Sequence, residues 1–275
     1  MNYKLSLHSH LSDIDHFRFT KPQHDIYLEK LLKRLLRLHG NLVLGVANFN
    51  NDGRYEAIIK GSKKLPKSFK IDYRFKDYFI TIIHEDKIIH LVKTDEIQTR
   101  EGHILIIGHK GKVKARLLSK LLREAHKERD IIIANHPLHK FGISYFFIKS
   151  ILGKPSRISM SAKELKRFKN DSDAIELNSY FPQDWKTIRS FAKDNKIPLV
   201  SDSDAHFINE MFRSYYKVSN LSFENPQLFK RTFKRALKKQ VIIHARKHGY
   251  LAAYKHMAIL FIEVFLTKIG LVKRG

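Results

Sequence analysis

Short β-branched and aliphatic runs alternate with helical stretches along most of this chain. Strands are expected at Tyr3–Leu7, Leu42–Ala47, Tyr78–His84, Lys87–Lys93, His103–Ile107, Ile131–Asn135, Ala174–Leu177 and Ile197–Val200. Helices are expected at Asp25–Leu38, Lys114–Glu128, Ala162–Phe168, Pro182–Asp194, Asn225–Lys239 and Tyr250–Ile269. Leu28, Leu31, Leu32, Leu35 and Leu36 recur at helical spacing. Asn225-Pro226 reads as an N-cap followed by a first-turn proline. Repeated strand–helix units argue for an α/β fold with a mostly parallel sheet, open or closed into a barrel. With 275 residues the chain can bury one sizeable core, so a single domain over residues 1–275 is expected.

The rhythm breaks at Lys60–Lys76, which is basic and weakly periodic and reads as a loop or extension. Ile80–Ile83 and Ile88–Leu91, split by Glu85-Asp86-Lys87, read as a hairpin, giving an inserted loop and hairpin at about residues 52–93. Near the C-terminus a helix is expected at about residues 250–270. Its stretch Met257–Leu266 is apolar except for Glu263 and falls short of the ~20 residues a spanning helix needs. It reads as a helix covering the core. The basic residues Arg246, Lys247, Lys273 and Arg274 at its ends keep a membrane-surface helix as the alternative.

Composition narrows the chemistry. There are no cysteines, which excludes disulfide-linked partners and thiolate metal sites. Any metal must sit on histidine, aspartate and glutamate, and there are 16 histidines to draw on. Lys+Arg is 52 against 27 Asp+Glu, a formal net charge of +25, which attracts polyanions or a phosphorylated small molecule. The first residues lack a signal-peptide pattern, so a cytoplasmic protein is the expectation.

Four short segments at expected strand ends carry metal-ligand residue types. His8-Ser9-His10 follows the first strand, and residues two apart in extended backbone point the same way. Ser201-Asp202-Ser203-Asp204-Ala205-His206 repeats that spacing with a carboxylate and an imidazole, a donor pair suited to Zn, Mn or Fe. Asn135-His136-Pro137 leaves the sheet at once, which sets His136 at a rim. Glu96, followed by Glu101-Gly102-His103, offers a carboxylate able to bridge two ions and a nearby imidazole. Each alone also reads as an ordinary turn, cap or rim histidine. Together they fall where α/β folds of this kind build their sites.

The order of these motifs resembles the polymerase and histidinol phosphatase (PHP) family of metal-dependent phosphoesterases, over roughly Tyr3 to His206. Leu7-His8-Ser9-His10 looks like the family's opening His-x-His, and Asp15 falls at its next ligand position. Glu96 and His103 resemble its Glu and downstream His, Ala134-Asn135-His136-Pro137 its His-Pro, and Ala174-Ile175-Glu176-Leu177-Asn178 the strand that follows. Ser203-Asp204-Ala205-His206 matches its Ser-Asp-x-His. The resemblance implies a distorted (β/α)7 TIM-like barrel with two or three divalent ions (Mn, Zn or Fe) at its C-terminal face. The sequence departs from the family where Thr-Asp-His-Asn is usual and Ala47-Asn48-Phe49-Asn50 stands, because Phe49 cannot ligate a metal. Asn48, Asn50, His16 and His24 are the residues from which that site could be rebuilt.

On this reading His8, His10, Glu96 and Asp204 hold one ion. His103, His136 and Glu96 hold a second, with Glu96 as the bridge, and Asp15 and His206 serve a third. The ions polarise a phosphoryl oxygen and lower the pKa of a water toward ~7. Asp204, His206 and His136 are the residues expected to be essential for turnover, with His206 able to assist proton transfer to the leaving group. Lys110, Lys140 and Arg213 are candidates for holding the remaining phosphate charge. The expected substrate is a nucleotide or short oligonucleotide. Two readings compete with it: a non-catalytic nucleic-acid-binding protein that keeps the barrel, and a peripheral membrane protein anchored by Tyr250–Val272.

Overall fold

The computed structural model describes residues 2–11, 24–138, 159–239 and 241–248, with backbone alone for residues 24–27. Seven strands follow one another in the sheet in chain order: β1 (Asn2–Ser6), β2 (Asn41–Phe49), β5 (Lys87–Gln98), β6 (His103–Ile107), β7 (Ile131–Ala134), β8 (Ala174–Asn178) and β9 (Leu199–Asp202). Four neighbouring pairs, β1–β2, β2–β5, β7–β8 and β8–β9, are parallel. β6 runs antiparallel to both β5 and β7. The reason is the length of its connection. Only Thr99–Gly102 lie between β5 and β6, and a parallel return needs a crossover of a dozen residues or more. Thr99 closes that turn, its hydroxyl donating to the Gly102 carbonyl at 2.7 Å. The expected parallel barrel is therefore present with one strand reversed.

The remaining strands flank these seven. β3 (Lys70–Asp72) and β4 (Phe79–His84) extend the sheet beside the first half of β5. β10 (Tyr215–Ser219) lies antiparallel to β1, and β11 (Ile242–His244) lies antiparallel to β10. The gap between β9 and β1 is bridged by side chains as well as by β10: Ser201 Oγ donates to the Tyr215 carbonyl at 2.7 Å, and Ser6 Oγ donates to Asp202 at 2.8 Å. The result is a nearly closed, barrel-shaped mixed α/β sheet.

Three apolar clusters hold the fold together. One fills the barrel with Leu5, Leu7, Val43, Val92, Leu105, Ile133 and Val200, and α6 (Pro226–Lys238) adds Phe229, Phe233 and Leu237. Asn225 caps α6, accepting from the Leu228 amide at 2.9 Å, as the Asn-Pro signal predicts. A second cluster packs α1 (His24–Leu36) and α2 (Arg54–Ser62) on the outside of β2 and β5, using the leucine stripe Leu28, Leu31, Leu32 and Leu35. A third packs α3 (Leu118–Lys127), α4 (Ala162–Phe168) and α5 (Trp185–Asn195) on β6 to β8.

Several expected boundaries are corrected. β5 does not end at Lys93 but runs to Gln98; its first half forms the expected hairpin with β4 around Glu85-Asp86, and the strand as a whole is also a central barrel strand. The stretch read as a basic loop holds the end of α2 and all of β3. The expected C-terminal helix at 250–270 lies outside the described residues. Among the described residues, no helix is long and apolar enough to cross a membrane.

Candidate metal centre

The strand directions decide which residues meet. β1, β2, β5, β7, β8 and β9 bring their C-terminal ends to one rim of the barrel. The reversed β6 brings its N-terminal end there, and that end is His103. At the seam, Asp202 accepts from the Leu7 amide at 3.0 Å. Beyond both strands Ser9 bridges Ala205 in parallel, with the His10 amide donating to the Ala205 carbonyl at 2.8 Å. The His-x-His and Asp-x-His segments are thus zipped side by side, and their two-residue alternation turns His8, His10, Asp204 and His206 toward one space.

Four groups of three ligand atoms, each within 4.8 Å of one another, result: His8, His10 and Glu96; His8, His136 and Asp204; His10, Asp204 and His206; and Glu96, His103 and His136. His8 Nε2 and His10 Nε2 are 3.1 Å apart. Asp204 Oδ1 lies 3.4 Å from the first and 3.5 Å from the second. Glu96 sits between the groups, with Oε2 3.0 Å from His10 Nε2 and Oε1 2.8 Å from His103 Nδ1 and 3.3 Å from His136 Nε2. All of these side chains are buried except His206, which is half-buried.

The donor set fits divalent cations. Two imidazole nitrogens face each other, and neutral rings cannot both donate into that gap. His103 Nε2, His136 Nδ1 and Asp204 Oδ1 are buried with no hydrogen-bond partner among the described residues. Burial pushes the His8 imidazole down, but the carboxylates of Asp204, Glu176 and Glu96 outweigh it and hold His8 well above its ordinary value. Burial likewise opposes ionisation of Glu96 and Asp204. Their histidine neighbours win, and both carboxyls lie well below the usual range. Such a pocket draws positive charge, and nitrogen with carboxylate oxygen is the ligand chemistry of Zn, Mn and Fe. The backbone is held in uncommon conformations at two of these residues, with φ 26° at His136 and φ 49° at Asp204.

A supporting shell orients the ring. Glu176, from the middle of β8, reaches both motifs: Oε1 is 2.9 Å from His8 Nδ1, and Oε2 accepts from the His136 amide at 2.8 Å. Asn178 Nδ2 donates to Asp204 at 3.0 Å, Asn135 Nδ2 to Glu96 at 3.2 Å, and an Arg54 nitrogen to the His10 carbonyl at 2.6 Å. Sequence reading gave Glu176, Asn178 and Arg54 no role. The signal for Glu176 was present, as a carboxylate inside an otherwise apolar strand.

Other expected residues fall elsewhere. Phe49 is at the rim, its ring 6.1 Å from that of His10 and 5.7 Å from that of His103. Asn48 and Asn50 do not rebuild a ligand set. Asn48 bonds Glu56, Asp95 and the Tyr55 amide, and Asn50 accepts from the Gln98 amide and from Arg116. Lys110 follows the C-terminal end of the reversed β6, at the barrel end opposite the cluster. Its neighbour His109 there pairs with Asp130 at 2.6 Å, just before β7. Arg213 is exposed and donates to the Lys247 carbonyl at 2.7 Å. Two aromatic side chains that follow β8 are engaged in contacts of their own: Tyr180 stacks on His248 and donates to Glu210, and Trp185 donates to the Asn178 carbonyl. Asp15, His16 and Lys140 lie outside the described residues, as does the side chain of His24.

No family model and no curated protein matches the sequence. Among solved structures the fold is similar to PsfC from Pseudomonas syringae PB-5123, with a TM-score of 0.57 and 11% identity, over 98% of this chain and 99% of that one. A second match is PfuEndoQ from Pyrococcus furiosus, a lesion-specific endonuclease, with a TM-score of 0.47 and 15% identity, over 88% of this chain and 58% of that one. The first likeness shows a shared fold. The chain is a mixed α/β barrel whose rim carries several buried His, Glu and Asp triads that could bind metal ions.

Proposed function

We propose that this chain is a metal-dependent phosphoesterase of PHP type, acting on a nucleotide or short oligonucleotide. The observation that carries the reading is the convergence of His8, His10, Glu96 and Asp204 with His103 and His136 around one shared carboxylate. In this reading the first four hold one ion. His103, His136 and Glu96 hold a second, and His206 with Asp15 serves a third. Divalent ions there supply Lewis acidity for a phosphoryl oxygen and bring the pKa of a water toward ~7. The chain's own part is positional. Glu176 fixes the His8 ring and the His136 backbone together, so the two ligand groups keep a constant spacing. Asn178 orients Asp204 through the oxygen that does not face His8 and His10. Where no third ion binds, His206, half-buried with its ring stacked on His10 at 4.8 Å, would instead pass a proton to the departing leaving group. The net charge of +25 favours an anionic substrate.

A second reading rests on Phe49. Its ring occupies rim space between His10 and His103 and offers no ligand. In that reading the barrel binds nucleic acid without turning it over. Elemental analysis of the purified protein separates the two. The phosphoesterase reading expects about two or three equivalents of Mn, Fe or Zn, mostly lost in Asp204→Ala, together with turnover in a phosphate-ester screen. Absence of metal after reconstitution would overturn it in favour of the binding protein.

A further inference from the structure

Outside the centre, the strongest unassigned feature is a basic groove. Lys30, Lys33 and Arg34 project from one face of α1, and Arg37, in the turn directly after the helix, continues that row at a spacing of seven residues from Lys30. The opposite wall is Phe207, Ile208 and Asn209, and the open, shallow depression between them holds about 700 Å³. That wall begins at the residue after His206, whose ring stacks on His10. One peptide bond, between His206 and Phe207, thus joins this wall to the candidate metal centre.

Its chemistry is one-sided. Lys30, Lys33 and Arg37 are exposed, and Arg34 Nε is buried with no hydrogen-bond partner among the described residues. Glu29 is paired with Lys33 at 2.6 Å, which leaves the face net positive. The apolar side of α1 is fully used, since Leu28, Leu31, Leu32 and Leu35 are buried in the core. A helix that binds a membrane surface must present an apolar face to the lipid, and α1 has none left to present. A shallow, open cationic face bordered by apolar residues suits a phosphate backbone with its bases turned toward that border. From Lys30 through the end of the helix to Arg37 the basic row spans about 10 Å, room for two or three backbone phosphates.

We propose that this groove is a track for a single-stranded nucleic acid, whose scissile phosphate reaches the metal centre while the strand continues along α1. The proposal rests on the phosphoesterase reading for the chemistry, but strand binding needs no metal. The test is fluorescence anisotropy of a short labelled oligothymidylate in EDTA, from about 50 to 200 mM salt. It compares the full-length protein, the variant Lys30→Ala/Lys33→Ala/Arg37→Ala, and a control losing the same charge from the exposed face of α5, Lys186→Ala/Arg189→Ala/Lys193→Ala. The groove variant should bind about tenfold or more weakly, with the slope of log affinity against log salt shallower by about 2. The control should stay within about twofold of wild type. Equal losses in both variants would assign binding to the overall field and overturn the track. No loss in the groove variant would overturn it as well. Binding of wild type to phosphatidylserine vesicles without binding to the oligonucleotide would assign the face to a membrane instead. A single Arg37→Glu reversal, checked for an unchanged melting curve, guards against a folding defect in the triple variant. Metal content and ester turnover are measured separately, so loss of the phosphoesterase reading is distinguishable from loss of the track.

Discussion

Glu176 Oε1 lies 2.9 Å from His8 Nδ1, and the same carboxylate accepts from the backbone of His136 through its other oxygen. One side chain thus sets the angle of one imidazole and the position of another. Replacing Glu176 with glutamine keeps the volume but removes the charge and the certainty of His8's tautomer. Outer-shell partners of this kind are worth about 10–100-fold in metal affinity. Metal titration of Glu176→Gln should show a loss in that range, with far-ultraviolet circular dichroism unchanged. Wild-type affinity in the variant would reduce Glu176 to a packing residue.

The facing nitrogens of His8 and His10 lead to a second expectation. A cation bound only by the folded state stabilises it by mass action, by roughly 2.7 kcal/mol at about 100 times the dissociation constant. Mn or Zn added to metal-free protein should raise the melting temperature, and EDTA should reverse the shift. In His10→Ala most of the shift should vanish. An equal shift in wild type and variant would place the stabilising ion elsewhere.

Much of this centre was legible in the sequence, and what was missed has physical reasons. Strands rich in isoleucine, leucine and valine declared themselves, as His103–Ile107 did. β5 exceeds its expected span because Lys93, Asp95 and Glu96 resemble a loop when met in order. In the fold they alternate: Lys93 and Asp95 turn outward to Glu56 and Asn48, and Glu96 turns inward to the histidines. α2 leaves a faint pattern because it is short and only two of its large apolar side chains, Tyr55 and Ile58, are buried. β10 depends on pairing with β1, more than 200 residues earlier in the chain, and β11 in turn on β10, which no local pattern records.

The seam also depends on one residue without a side chain. Gly45 lies in β2 where β1 leaves the sheet, and a Cβ there would sit 2.1 Å from the carbonyl oxygen of Leu7. Leu7 immediately precedes His8, so neither backbone can give way without moving the His8-Ser9-His10 motif. Gly45→Ala should cost about 3 kcal/mol or more. It should also lower metal affinity, because His8 is displaced. Urea unfolding together with metal titration checks both. A variant with wild-type stability would show that β1 and β2 separate more easily than their packing implies.

Acid sensitivity should arise at the other end of β5. His90 is buried, stacked on Phe223 at 3.5 Å, and its Nδ1 is 2.9 Å from the Thr81 hydroxyl. Burial pushes its pKa down to about 3 in the folded protein, against about 6.5 when unfolded. Between these values the unfolded chain binds a proton that the folded chain refuses, so stability falls as pH falls through this window. The slope contributed by this group is about 1.4 kcal/mol per pH unit. His90→Gln cannot titrate. It should be less stable than wild type at neutral pH, and should regain about 2 kcal/mol relative to wild type between pH 7 and about pH 5. Urea denaturation of both proteins at the two pH values measures this directly, and because only the difference between them is used, other titrating groups cancel. If the two lose stability in parallel, His90 is not the source of acid sensitivity and must take up its proton while still folded.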